Sequence, residues 1–540
     1  MQPGDESSAR RLRAGAPRLV TALVLVALAA LALLLFERAT AKYGLHVSPD
    51  SVRYAELADL LARDGLSVLF RDDNRYEGYL FSRDMVPITN RYTPPAYSLA
   101  IAAIQAACGC DPYQAMHLAH RGMFVTLPLL VFLAMRLGFR ARTRAAIVAA
   151  LASILGPSVA MGSRALSEAP FCLLVTALAW TTATYLRRPR VLLAVCAGAV
   201  VAVAYYVRAT GVFLAPLPLA TIALLAWRGR DGGMLLRHGG ACAVAMCVPI
   251  GAWMLRNQVM LGIAAGEYPA QRSSFLGNCE RAAAVIGHWF LPSASNGLAA
   301  IAGGATGLVA AVAVGAVWRM ARHARDPRLA DLAPWPGVLA CLYLLGSLVS
   351  ASVYRFDALN DRLLWPIHVP LLLSICAAMD AVAWRRVRPR VLSWIAAAVG
   401  LAMLIGAARV ALRAAKHQAR AGAGGWSSDK YVRTELYDWL AGNRSRLAGQ
   451  RVFTNAPDEL SFHHEIGSRF LPVSADAIEP VTVPSDSRHP IWSEDAFWIV
   501  WWNGVRTSYV THPDALRETH ALRELHASEA GTVWECRRIR

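Results

Sequence analysis

Apolar runs of about twenty residues, separated by short arginine clusters, occupy most of the chain between positions 18 and 409. A helix needs roughly 20 mostly apolar residues to cross the hydrocarbon core of a bilayer, so each run is a predicted membrane span. There are about eleven such runs by this criterion: 18–36, 121–138, 145–162, 169–186, 191–207, 211–227, 239–256, 297–318, 335–353, 363–384 and 391–409. The pattern predicts an all-α polytopic membrane bundle.

The positive charge of the chain supports this interpretation through its location. The sequence has 55 Lys and Arg against 37 Asp and Glu, a net charge of +18. That balance alone is compatible with nucleic acid, an anionic membrane or an anionic substrate as partner. The clusters lie between apolar runs, for example at 140–144 and 385–388, which is the positive-inside pattern of multispanning proteins. The sequence shows no basic face interleaved with aromatic residues, which is the pattern expected for nucleic-acid binding.

Placing every basic cluster in the cytoplasm predicts the topology. Residues 1–17 form a cytoplasmic tail, and the run 18–36 is a retained signal anchor, because no clean small-residue cleavage site follows it. The membrane domain covers 18–409, with a first outer loop at 37–120 and a long outer loop at 256–296. The apolar segment Tyr97–Cys108 is too short to span and is predicted to be a half-embedded or surface helix in the first outer loop. We expect a multi-pass protein of the cytoplasmic (inner) membrane.

Residues 410–540 have the composition of an ordinary soluble protein, and the odd number of spans places them outside the cytoplasm. Trp426–Ala448 is predicted to be one amphipathic helix, and Arg451–Asn455 and Ala496–Trp502 are predicted strands. The expected structure is a small α/β extracytoplasmic domain. His463, His464 and Glu465 resemble a metal cluster, but a solvated surface is the favoured interpretation in such a domain.

Asp50 is the acidic residue of greatest interest in the first outer loop. It follows Ser48 and Pro49 and precedes a predicted helix with Tyr54 and other apolar residues at helical spacing. One interpretation is a helix N-cap, where Asp is favoured. The other is a carboxylate at the membrane interface that accepts a proton from a sugar hydroxyl. Both roles are compatible with the sequence.

Several arginines are predicted at the outer ends of spans. They either anchor the helices to lipid headgroups or bind phosphate, to which the planar guanidinium offers a bidentate fork. Because the positive-inside bias makes arginine less expected on the outer face, the phosphate interpretation gains weight. The residues concerned are Arg164, Arg208, Arg256 and Arg362.

Glu168 begins a predicted span, directly after Ser167. An acid in the first turn of a helix is stabilised by the helix dipole, which is a sufficient structural reason for its presence. It could also hold an acceptor, a metal or an arginine.

Taken in order, the outer-face motifs resemble those of the lipid-dependent glycosyltransferases with the GT-C fold, which include protein mannosyltransferase-like and aminoarabinose transferase-like enzymes. The resemblance covers roughly residues 18–410 and is carried by Asn90–Leu99, Ser163–Glu168, Arg208–Gly211, Arg256–Asn257 and Asn360–Pro366. Each motif is short, and their order and common face make the set moderately specific.

The resemblance implies inverting transfer of a sugar from a polyprenyl-phosphate donor to a glycan, lipid or protein acceptor, with Asp50 as the base. It also implies a donor and phosphate site made of Tyr54, Arg91, Tyr97, Arg164, Glu168, Arg208, Arg256 and Arg362. Many members carry two adjacent acids in the first loop, whereas Ser51 follows Asp50 here. We therefore predict neither a metal nor another cofactor.

Two other classes of protein stay open. A transporter or flippase of lipid-linked saccharides would also be polytopic, although such proteins commonly show repeated halves and broken central helices, which this sequence lacks. A non-catalytic envelope assembly protein is the other alternative. The sequence names neither the sugar nor the acceptor.

Overall fold

The computed structural model describes residues 5–70, 94–261, 264, 273–292, 295–305, 334–353, 359–384, 390–472, 490–505 and 510–539. The chain forms two compact units. The helical unit comprises Met1–Ala41, Pro94–Ala100 and Met116–Arg420, and the mixed unit comprises Lys42–Thr93, Ile101–Ala115 and Ala421–Arg540.

Helices account for most of the described structure. In chain order they are α1 (Asp5–Thr40), α2 (Pro49–Asp64), α3 (Ala96–Cys108), α4 (Pro112–Leu133), α5 (Thr143–Ser153), α6 (Ser158–Gly162), α7 (Glu168–Arg187), α8 (Val191–Val207), α9 (Pro216–Gly229), α10 (Gly232–Met234), α11 (Gly240–Leu261), α12 (Phe275–His288), α13 (Pro334–Val353), α14 (Asp361–Trp384), α15 (Arg390–Ala421), α16 (Asp429–Val432), α17 (Glu435–Gly442), α18 (Arg444–Leu447) and α19 (Pro457–His464). Single turns of 3-10 or π-helix occupy Gly65–Phe70, Ala134–Gly138, Ala209–Leu214, Leu235–Gly239, Pro490–Trp492 and Pro513–Glu518.

Six helical stretches within the described residues are long and apolar enough to cross a membrane, so the chain is a multi-pass membrane protein. They are Leu19–Thr40, Pro112–Gly138, Glu168–Arg187, Ala209–Gly229, Gly232–Met260 and Trp335–Val353. The apolar helices α3, α5 and α8 are shorter. The total of about eleven spans and their orientation stay predictions.

The predicted span 145–162 differs from the structure, in which α5 ends at Ser153 and α6 begins at Ser158. Gly156 lies in the left-handed region at φ 62°, and Pro157 follows it. Proline disfavours a helical conformation at the residue before it, so the helix breaks at this point. The Gly156 N–H donates instead to the carbonyl of Ala407, at 2.9 Å.

A five-stranded sheet forms the centre of the mixed unit, with strand order β2-β1-β3-β5-β4. The strands are β1 (Val452–Thr454), β2 (Arg469–Phe470), β3 (Ala496–Trp502), β4 (His520–Ser528) and β5 (Gly531–Arg538). β1 is parallel to both β2 and β3, whereas β5 is antiparallel to β3 and β4. The predicted strands at 451–455 and 496–502 are thereby confirmed.

The alternation of side chains along β3 explains why this central strand is buried on both faces. Trp498, Val500 and Trp502 face a core that includes Leu436 of α17 and Leu460 of α19. The alternate residues of β3 face a second core on the other side. Side chains of successive strand residues point to opposite faces, so an aromatic and aliphatic run such as 497–502 fills both.

The single amphipathic helix predicted at Trp426–Ala448 is wrong. The structure has three short helices there, α16, α17 and α18. Thr434 separates α16 from α17, because its side chain accepts a hydrogen bond from the Tyr437 N–H and thereby caps the start of α17. The apolar residues Leu436 and Leu440 nevertheless lie on the same face of α17, in one hydrophobic core. Helical periodicity predicts this shared face, but it does not predict where the helix begins or ends.

Candidate functional site

The carboxylate of Glu168 lies at the centre of a charged cluster in the helical unit. Its side chain is 2% exposed, and Oε1 accepts hydrogen bonds from Arg208 Nη1 and from Arg362 Nε, both at 2.5 Å. Glu168 begins α7, Arg208 directly follows α8, and Arg362 lies in the first turn of α14. Three helix ends therefore meet at one buried oxygen.

Two further charged residues belong to this cluster. Arg164 lies in electrostatic range of Glu168, Asp361 and Arg362. Asp361 accepts a hydrogen bond from Trp289 Nε1 at 2.7 Å. Among the residues that the structure describes, this cluster has three guanidinium groups and two carboxylates, a net charge of +1, around the buried Glu168. Such an excess of positive charge favours an anion, and guanidinium geometry favours phosphate or carboxylate.

Tyr343 was missed by the sequence analysis. It lies in α13, is 2% exposed, and its hydroxyl is 3.3 Å from Thr210 Oγ1 and beside Arg208. A polar group within an apolar span is costly unless it has a hydrogen-bond partner. The presence of the Tyr343 hydroxyl in such a span was therefore the one feature of the sequence that pointed to a polar contact here. The hydroxyl extends the polar cluster towards the segment after α8.

Tyr97 is buried in a different polar contact of the helical unit. Its hydroxyl donates to His120 Nε2 at 2.6 Å, and His120 Nδ1 donates to the Gly162 carbonyl at 2.9 Å. The carbonyl can only accept, so Nδ1 carries a proton, and in a neutral imidazole Nε2 is then the acceptor for the Tyr97 hydroxyl. A small, mostly apolar pocket adjoins His120 and is also lined by Ala169 and Trp365, which are close in sequence to Glu168 and Arg362.

The described contacts of Arg256 are with neighbouring residues of its own helix. Arg256 lies in α11, where its guanidinium lies over the ring of Trp253, 4.9 Å from the centroid, and donates to Asn257 Oδ1 at 2.8 Å. Arg91 lies outside the described residues.

Asp50 lies in the mixed unit, in the first turn of α2. The N-cap of that helix is Ser48, whose side chain accepts from the Ser51 N–H, while the Ser51 side chain accepts from the Ser48 N–H. The prediction that Asp50 caps the helix is therefore wrong, because a reciprocal serine pair fills that role. Asp50 is 35% exposed and lies 3.7 Å from Arg53 Nη1, and Tyr54 is buried on the same helix.

The solvated surface predicted for His463, His464 and Glu465 holds only for Glu465. His464 is 2% exposed, with Nε2 3.7 Å from Oε1 of the fully buried Glu459. Burial raises the pKa of Glu459 well above its usual 4.5 and lowers the pKa of His464 to about 4. Burial thus favours the neutral form of both side chains, and α19 presents them to the interior rather than to water.

Solved structures of membrane glycosyltransferases share this fold. One is ArnT from Cupriavidus metallidurans bound to undecaprenyl phosphate, with a TM-score of 0.56 and 17% identity over 94% of this chain and 97% of that one. Another is the Archaeoglobus fulgidus oligosaccharyltransferase in complex with Zn and sulfate, with a TM-score of 0.56 and 12% identity over 95% of this chain and 72% of that one.

The mycobacterial arabinofuranosyltransferase AftD matches with a TM-score of 0.50 and 16% identity over 95% of this chain, which spans 40% of AftD. No protein-family model and no curated protein matches the sequence. The matches cover nearly the whole chain, and they show that it has the GT-C fold expected from the motifs.

Proposed function

We propose that this protein is a membrane glycosyltransferase that moves a sugar from a polyprenyl-phosphate donor to an acceptor on the outer face of the cytoplasmic membrane, with inversion at the anomeric carbon. The N-terminus is cytoplasmic and residues 410–540 are extracytoplasmic in this proposal. The fold supports it, because similar solved structures are lipid-dependent glycosyltransferases and one of them, ArnT, holds undecaprenyl phosphate.

The observation that carries the proposal is the cluster of Arg164, Arg208 and Arg362 around the buried Glu168. These groups lie at helix ends beside apolar segments, where the phosphate of a membrane lipid is found. A phosphate leaving group is already a stable anion, so it needs no strong general acid. It benefits from fixed positive charge as the glycosidic bond breaks, which these arginines supply.

Asp50 is the proposed general base. The acceptor oxygen forms a bond to the anomeric carbon while the bond from that carbon to the phosphate oxygen breaks. The proton of the acceptor hydroxyl goes to the Asp50 carboxylate, and the polyprenyl phosphate leaves with the electron pair. Attack from the face opposite to the leaving group inverts the configuration.

The residues beside Asp50 do not fit a two-acid metal site. The adjacent position holds Ser51, which is buried and hydrogen-bonded to Ser48. Among the residues that the structure describes, no group of three or more His, Cys, Asp or Glu side chains is arranged to hold an ion. No step of the proposed reaction involves a metal.

The test is turnover by purified Asp50→Asn protein with a panel of undecaprenyl-phosphate-linked pentoses and hexoses. Asn cannot accept the proton, so we expect transfer to fall by about 10²–10⁴-fold in a folded protein. Asp59→Asn is the matched control, because Asp59 lies on the same helix and pairs with Arg63. Transfer by Asp50→Asn within a few-fold of the parent would remove Asp50 as the base. Movement of lipid-linked sugar across proteoliposomes without transfer would support a flippase instead.

A further inference from the structure

The segment that leads into Asp50 is attached to the domain at the other end of the chain. Val47 forms a parallel β-bridge with Gly425, and the Trp426 N–H donates to the Val47 carbonyl at 2.8 Å. His46 Nδ1 donates to the Ala423 carbonyl at 3.0 Å. Residues 46–47 therefore share backbone contacts with 423–426, all within the mixed unit.

Gly425 makes this attachment possible. Its φ of +62° lies in the left-handed region, and a Cβ at this position would come within 1.9 Å of the Val47 carbonyl oxygen. That oxygen is backbone and already accepts the Trp426 N–H. No residue with a side chain fits there unless the two segments separate.

The body of α2 is held by the same domain. Val47 and Val52 are buried in one hydrophobic core with Trp426 and Leu460. The Ser461 hydroxyl of α19 donates to Glu56 Oε1 at 3.1 Å. Side-chain packing thus continues the backbone attachment along the helix that carries Asp50.

A salt bridge completes the attachment ahead of α2. Lys42 Nζ contacts both carboxylate oxygens of Asp429, at 2.6 and 2.8 Å. The chain is therefore tied to the C-terminal domain before Asp50, at the bridge next to it, and after it on α2. The two residues of this salt bridge, Lys42 and Asp429, are 387 positions apart in the sequence.

We infer that Gly425 and Trp426 are positioning residues for the proposed transfer, and that the C-terminal domain sets the location of the Asp50 carboxylate. The inference rests on the proposed role of Asp50 as base. Asp50 is three residues after Val47, and the two serines of the capping pair, Ser48 and Ser51, flank it. A general base must come within about 2.6–3.2 Å of the oxygen whose proton it accepts, so a shift of Val47 that α2 follows removes Asp50 from range.

The experiment compares Gly425→Ala with Gly449→Ala. Gly449 also has a left-handed φ, +77°, but nothing lies within 4 Å of a Cβ there. Both variants carry the backbone strain of a left-handed alanine, and only Gly425→Ala separates the two segments. Three quantities are measured in detergent: turnover of undecaprenyl-phosphate-linked sugars, binding of undecaprenyl phosphate, and deuterium uptake of residues 45–64.

For Gly425→Ala we expect turnover to fall by about 10²-fold, the size of effect known for a misplacement of about 1 Å. Undecaprenyl phosphate should bind within about threefold of the parent, because the arginine cluster is unchanged, and uptake in 45–64 should rise. Gly449→Ala should match the parent in all three. A merely structural lesion would instead reduce lipid binding and turnover together.

Equal turnover in the two glycine variants, with Asp50→Asn inactive, would overturn this inference and leave the proposed base intact. Full turnover in Asp50→Asn would show that Asp50 is not the base. Gly425 and Trp426 would then have no base to position. If Gly425→Ala aggregates, Ser461→Ala tests the inference in its place, because it removes only the hydroxyl that is hydrogen-bonded to Glu56. Unchanged turnover and uptake in Ser461→Ala would then count against the inference.

Discussion

Glu168→Gln is the most direct test of the arginine cluster. The substitution keeps the shape of the side chain and one carbonyl oxygen, but it removes the negative charge between Arg208 and Arg362. Without that charge the two guanidinium groups repel each other and lose a common acceptor. We expect donor use to fall while the protein stays folded, because the helices keep their apolar contacts.

The magnitude follows from the two hydrogen bonds at Oε1, each 2.5 Å long. A hydrogen bond that involves a charged group contributes about 1.5–3 kcal/mol. The amide oxygen still accepts from two charged guanidinium groups, so each bond moves from the upper to the lower end of that range, a cost of about 1.5 kcal/mol per bond or about 3 kcal/mol in total. At 1.36 kcal/mol per tenfold change, kcat/KM for the donor should fall about 10²-fold.

The assay measures kcat/KM with undecaprenyl-phosphate-linked sugars, alongside thermal unfolding of the purified protein. Glu280→Gln on α12 is the matched control, since Glu280 is an exposed glutamate of the same unit. A value for Glu168→Gln within about threefold of the control would refute the reasoning, because it would show that the arginines keep their function without the shared carboxylate.

Three further outcomes are expected. Arg208→Ala should raise the donor KM, and Arg208→Lys should recover only part of the loss, because an ammonium lacks the planar fork; equal donor kinetics in all three proteins would identify Arg208 as a lipid anchor. A reporter fused after Arg540 should be active only outside the cytoplasm and one near Arg142 only inside, and either reversal would overturn the topology. Glu459→Gln should melt above the parent at about pH 8 and close to it at about pH 5, and the opposite order would contradict the raised pKa of Glu459.

The sign of the Glu459 effect follows from linkage. Its pKa is raised in the folded protein, so between the ordinary value of 4.5 and the folded value the folded state holds a proton that the unfolded chain has lost. Stability therefore falls as pH rises through this range, and the glutamine variant avoids the loss. His464, whose pKa is lowered to about 4, contributes with the opposite sign between about pH 4 and 6.5. That contribution is present in both proteins and largely cancels in their difference.

Local patterns in the sequence predicted a large part of this structure. Twenty-residue apolar runs located span-length helices such as Leu19–Thr40 and Trp335–Val353, because lipid imposes length and composition directly. A short apolar run rich in aromatic residues located β3 with the bounds found in the structure. The positive-inside rule put Glu168, Arg208 and Arg362 on one face, and the structure brings these three side chains together.

The remaining features depend on partners that are distant in sequence. Tyr343 is one aromatic residue in an apolar helix until Thr210 and Arg208 are seen beside its hydroxyl. His464 looks solvated beside Glu465, because polarity alone does not show that α19 turns it towards Glu459. Periodicity reports which residues share a face of an element, and it carries no information on what packs against that face.

The division of the chain into compact units bears on how the proposed enzyme responds to mutation. The composition of the sequence predicts a boundary at 410. In the structure one compact unit comprises Lys42–Thr93, Ile101–Ala115 and Ala421–Arg540, and the arginine cluster lies in the other unit. The proposed base and the proposed phosphate-binding groups thus belong to units with separate cores. A destabilising change in the core around Trp426 should therefore reduce the rate of transfer before it reduces donor affinity, and a change around Glu168 should do the reverse.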